Sequence, residues 1–138
     1  MILDCGFKWI SSKYARHLNS RKPDAKIYDS IVTAQAASQP YAYPTGLVEI
    51  PMSPISDIGA FRGGRWQLKW FLEAVRLAVE WAIEHRAVFD FIAHPSCLGV
   101  VDPEFKTIDL ICRLVNEAGG RAELTDLERV YRRFTATK

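Results

Sequence analysis

A chain of 138 residues suits one domain. Its 49% apolar share is enough for a sizeable core and too high for a disordered segment. With 18 basic and 16 acidic residues the formal charge is only +2, which excludes the basic footprint of a nucleic-acid binder.

Three cysteines, Cys5, Cys97 and Cys112, stand far apart with no CxxC pair. An odd, scattered set argues against a disulfide framework and for a reducing compartment, so a cytoplasmic location is expected. The start, Met1 to Gly6, has no basic residue followed by a long apolar core, so no signal peptide is read there. No window reaches the roughly 18 uncharged apolar residues of a membrane span. Even the most apolar long stretch, Trp66 to Ile83, contains Lys69, Glu73, Arg76 and Glu80.

In chain order, Met1 to Gly6 reads as the last turn of a helix stopped by glycine. Phe7 to Ser12 alternates apolar and polar residues as a strand does. Residues 13–26 are polar and read as a loop. Ile27, Ile31 and Ala34 fall at helical spacing within a short helix that ends before Pro40. Tyr41 to Gly46 is turn-rich, and Leu47 to Ile50, between Gly46 and Pro51, is a second strand. Met52 to Gly64 is a long loop, and long ordered loops tend to carry function. Arg65 to His85 is the strongest helix: Trp66, Trp70, Ala74, Leu77 and Trp81 form a stripe, widened by Phe71, Val75, Ala78 and Ala82. Phe89 to Ala93 is a short apolar strand, followed by a loop from Pro95 to Val101. Asp102 and Pro103 open the next helix, which ends at Gly119-Gly120. Arg121 to Leu124 reads as a last strand. Thr125 to Glu128 forms a capping box for a final helix bearing Leu127, Val130, Tyr131 and Phe134. Strands and helices alternate, so an α/β fold with a mostly parallel sheet and flanking helices is expected. A full barrel needs about 250 residues, so this length allows an open sheet or part of a barrel.

The candidate chemistry centres on His94, where the apolar run 89–93 ends. Ligands gather at the carboxyl ends of parallel strands, and an imidazole there can act as general acid or base. The alternative is a histidine that only hydrogen-bonds a loop. If strands 47–50 and 89–93 are parallel, Asp57 emerges on the same sheet edge and can orient the ring. Alternatively, Asp57 caps a turn. His17, His85 and His94 fall on a loop, a helix end and a strand end, with no HxxH pair, so no self-contained metal site is read. There is no GxSxG elbow and no Walker loop.

Four segments, Gly6 to Ser12, Gly46 to Pro51, Phe91 to Pro95 and Gly120 to Thr125, together resemble the carboxyl-terminal half of the polysaccharide deacetylase (NodB-homology, carbohydrate esterase) family. The resemblance implies an irregular β/α barrel that removes N-acetyl groups from glycans, a hydrolase of non-peptide carbon–nitrogen bonds. It implies a metal, usually zinc, held by an aspartate and two histidines in the first half of the domain. It gives His94 the role of general acid to the leaving amine and Ile92 that of holding the acetyl methyl. Asp57 and Arg62 lie near the penultimate motif as supporting residues. Pro95 stands beside the substrate where many members have aspartate, as in the branch acting on ureides and cyclic amides. The first-half motifs are not in this sequence, so residues 1–138 are expected to be one amino-terminally truncated domain, with no cofactor of its own and inactive alone. The expected partners are an amino-terminal half or a second copy, and a glycan or small amide as substrate, with no nucleic acid and no membrane. The rival reading is a non-catalytic α/β module that binds a partner or completes a barrel in trans.

Overall fold

The computed structural model describes residues 2–137. Apolar spacing and caps explain its helices. Asp24 opens α1 (Ala25–Ala37), its side chain accepting the Ile27 N–H at 3.1 Å. Ile27, Ile31 and Ala34 are buried along its inner face, which makes it longer and firmer than its sequence suggests. α2 (Leu68–Glu84) runs through the centre of the molecule. It buries Phe71, Ala74, Val75, Ala78, Val79 and Ala82, while Trp70, Leu77 and Trp81 are only half-buried. The core face is thus centred one residue away from the tryptophan stripe. α1 and α4 (Lys106–Glu117) pack against α2. Ile31, Phe61, Phe71, Val75, Leu98 and Leu110 belong to one contiguous cluster.

The sheet is small and mixed. β1 (Trp9–Ile10) pairs in parallel with β3 (Val48–Glu49), with Trp9 opposite Val48 and Ile10 opposite Glu49. β2 (Tyr41–Ala42) lies antiparallel on the other side of β3, so the order is β1-β3-β2. The turn after β2 closes through the Tyr43 N–H on the Leu47 carbonyl at 2.8 Å, with Gly46 at φ +89°, a conformation that glycine adopts without strain.

These observations overturn the expected mostly parallel sheet and its place in a β/α barrel: the chain is about 53% helical, with one three-stranded mixed sheet. Three local causes account for the difference. First, the run 89–93 is extended but forms no ladder. The residue that leads into it, Val88, is met by side chains: Gln39 takes both its N–H and its carbonyl, and Gln35 Nε2 shares that carbonyl. One ladder-like bond remains, from the Ser53 N–H to the Asp90 carbonyl at 2.8 Å. Second, residues 121–124 join no strand among the described residues; a 3₁₀ turn, Gly119–Arg121, runs into irregular backbone there. Third, the expected loop 95–101 is a helix, α3 (Pro95–Val101), with proline at its first position. The next helix opens at Lys106 behind Phe105 rather than at Asp102-Pro103; Asp102 ends α3 instead, and its carboxylate reaches across to accept the Lys106 and Thr107 N–H groups at 2.9 and 2.8 Å. α5 (Leu127–Ala136) begins on Asp126 rather than Thr125, and Glu128 accepts the Trp9 indole N–H at 2.9 Å. Among the described residues no helix is long and apolar enough to cross a membrane.

Candidate functional site

Asp57 and His94 meet where two irregular segments leave the sheet. Asp57 precedes the π-helical segment Ile58–Gly63, and its Oδ1 accepts the Ile58 N–H at 2.8 Å. The wide i→i+5 turn closes with the Gly64 N–H on the Gly59 carbonyl at 2.8 Å. A Cβ on Gly64 would lie 2.7 Å from the Trp66 ring, so only glycine fits where that indole folds back. Phe61 anchors the segment to α2, its ring 4.8 Å from that of Phe71.

His94 is placed by its neighbour. A residue before proline is driven to extended backbone, and His94 sits at φ −111°, ψ 118°. Its N–H therefore points away from α3 and donates to Asp57 Oδ2 at 2.7 Å. The ring Nδ1 lies 2.8 Å from Asp57 Oδ1. One carboxylate thus holds both the backbone and the ring of His94. The Asp57 side chain is fully buried, whereas that of His94 is 43% exposed.

The protonation pattern follows from the chemistry of the pair. Burial by itself would raise the Asp57 carboxyl. The hydrogen bonds from the His94 ring, the His94 N–H and the Ile58 N–H outweigh it and hold the group below its ordinary value. An ionised carboxylate only accepts, so the imidazole presents Nδ1–H to it. The other ring nitrogen, Nε2, is left free of Asp57.

This arrangement carries a pH prediction. A carboxyl held low in the fold favours the folded state while ionised, because the unfolded chain binds the proton more readily. The Asp57 contribution is complete above the ordinary value of 3.8 and is lost as pH falls through the lower folded value. Urea midpoints measured from about pH 6 down to pH 2 should fall for the native chain, and Asp57→Asn should flatten that limb. Parallel limbs in the two proteins would remove Asp57 as the source.

The remaining residues singled out from the sequence fall around this pair. Phe89, Phe91 and Ala93 pack on the core, so the alternation of extended chain puts Asp90, Ile92 and His94 on the opposite side. Ile92 is half-buried there, two residues before His94. Pro95 is exposed at the start of α3. Arg62 is exposed, and its guanidinium reaches the carbonyl and hydroxyl of Ser96, both at 3.5 Å. Ser96 was not legible as a site residue, since nothing in its local sequence predicts that contact. The parallel strands expected to deliver the pair are not its means: His94 arrives on unladdered extended chain, braced by Gln35 and Gln39.

The other polar clusters are structural. Buried Glu49 accepts the Ser12 N–H at 2.7 Å, the Ser12 hydroxyl at 2.9 Å, the Lys13 N–H at 2.9 Å and the Tyr43 hydroxyl at 3.1 Å, tying β3 to the chain beyond β1. Burial pushes the Asp90 carboxyl up, against a 2.9 Å bond from the Ser11 hydroxyl. His17 and His85 use Nδ1 on the Leu18 and Trp81 carbonyls, at 2.6 and 2.8 Å. Among the described residues no group of three or more His, Cys, Asp or Glu converges. The residues present do not fit the aspartate-and-two-histidine metal set that the family resemblance implies. Comparisons with protein-family models, curated proteins and solved structures find no match to this chain.

Proposed function

We propose that this chain contributes the acid–base imidazole of a hydrolase acting on a non-peptide carbon–nitrogen bond. This is the role that its resemblance to the carboxyl-terminal half of the polysaccharide deacetylases gives to His94. The observation that carries the reading is the 2.8 Å contact of His94 Nδ1 with fully buried Asp57, which leaves an exposed ring with Nε2 free for a ligand. In amide hydrolysis, water adds to the carbonyl carbon and the tetrahedral intermediate collapses with loss of the amine. The imidazolium Nε2–H protonates the departing nitrogen as the carbon–nitrogen bond breaks. Activation of water and stabilisation of the oxyanion are separate tasks. In this reading a partner element supplies both, and the isolated chain turns over negligibly.

The test uses the protein in its native assembly, purified from its source cells. Amine release is followed from N-acetylated chito-oligosaccharides and from small ureides and amides. Native protein should hydrolyse one of these classes, and His94→Gln should lose about 10²–10⁴-fold in turnover while still unfolding in one cooperative transition. Turnover that survives His94→Gln would overturn the role of the imidazole. Robust turnover by the isolated chain would overturn the division of labour.

A further inference from the structure

Arg62 is a cation with unspent donors, tied to the chain two residues past His94. It sits on the last turn of the π-helical segment that Asp57 opens. Its contacts, to the Ser96 carbonyl and hydroxyl, are both 3.5 Å, the long limit of hydrogen bonding. A guanidinium has five N–H donors and stays charged at all physiological pH values. Ion pairs among the described residues engage Arg76, Lys106, Arg132, Arg133 and His94, but not Arg62. Asp57, the acid nearest in sequence, is fully buried, and its oxygens accept from His94 and Ile58. Ser96 stands two residues after His94 at the start of α3, so the Arg62 contact falls within one helical turn of the residue that Asp57 holds.

We infer that Arg62 and the Ser96 hydroxyl form a subsite for a carboxylate carried by the substrate of His94. The planar guanidinium fork matches a carboxylate with two parallel bonds, and Ser96 adds a third donor. A neutral N-acetyl sugar leaves this cation unused. The subsite therefore selects an amide or ureide bearing an acidic group. The word substrate rests on the function proposed above, but the binding itself is read without turnover.

The experiment follows the Ser96 amide and Arg62 Nε–H signals by nitrogen-15 NMR. Sodium acetate, sodium phosphate and neutral acetamide are titrated at constant ionic strength. Acetate should give saturable shifts. Arg62→Gln should weaken it at least about tenfold, equivalent to about 1.4 kcal/mol, with Arg62→Lys in between. Acetate that does not saturate, acetamide that binds as well as acetate, or Arg62→Gln binding acetate as tightly as the native chain overturns the subsite. Phosphate binding through Arg62 without acetate binding overturns the carboxylate assignment. His94→Gln should keep its acetate affinity. Failure of the proposed hydrolase leaves the acetate result standing, and failure of acetate binding leaves the His94 turnover test standing.

Discussion

Asp57→Ala is expected to destabilise the protein by about 2–4 kcal/mol, a fall on the order of 5–15 °C in Tm. Asp57 accepts three hydrogen bonds at 2.7–2.8 Å while fully buried. Bonds to a charged acceptor contribute about 1.5–3 kcal/mol each when their donors stay buried. The total is smaller than three such bonds, because the His94 ring is partly exposed and can turn to water. The two backbone donors, of Ile58 and His94, have less freedom to do so. Asp57→Asn should cost less, since its oxygen can still serve the Ile58 N–H and the His94 ring, although its NH₂ then faces the His94 N–H. Thermal and urea melts of both variants give the comparison. A loss below about 1 kcal/mol for the alanine variant would mean that Asp57 does not anchor the His94 segment.

Phe71→Ala is the second large effect, about 3–5 kcal/mol. Phe71 is fully buried in the first turn of α2 and shares one cluster with buried residues of α1, α4 and the π-helical segment. Removing its ring deletes transfer energy and leaves a cavity that helices packed on several sides cannot close. The effect should reach the site as well. Phe71 packs on Phe61, and Phe61 lies on the segment that starts at Asp57. Amide hydrogen exchange at residues 58–63 should therefore accelerate more in Phe71→Ala than exchange in α5, which has no buried residue. Uniform acceleration over both segments would show that Phe71 supports only global stability.

The two effects connect packing to chemistry. The ring of His94 is held by a carboxylate, the carboxylate by a π-helical turn, and the turn by an aromatic contact with the central helix. Loosening any link lets the imidazole reorient, and misplacement of a catalytic group by about 1 Å is costly to a rate.

Where helices lie was largely legible from local spacing. Ile27, Ile31 and Ala34 marked α1, and Phe71, Val75, Ala78 and Ala82 marked the buried side of α2. Tryptophan misdirected the centre of that side: Trp70 and Trp81 are large enough to cover the flank of the helix while staying half-exposed. Helix α3 was not legible, because seven residues beginning Pro95-Ser96 carry too short a pattern to separate from a loop. The sheet was misread for a different reason. Alternation along 89–93 and 121–124 reports extended chain or one-sided burial, not the partner that satisfies the backbone. At Val88 that partner is a pair of glutamine side chains from the region of α1, some fifty positions away.

By itself the sequence determined the amphipathic helices, the extended run ending in His94, and the two side chains with the chemistry to form an acid–base pair. These depend on periodicities of a few residues and on residue type, which are local properties. Only the tertiary structure decided that the sheet is small and mixed, that Asp57 is buried and reaches both ends of the His94 contact, and that Arg62 comes to Ser96. The last two join residues 37 and 34 positions apart, and which distant side chains meet and how deeply they are buried belongs to the packed molecule rather than to any stretch of chain.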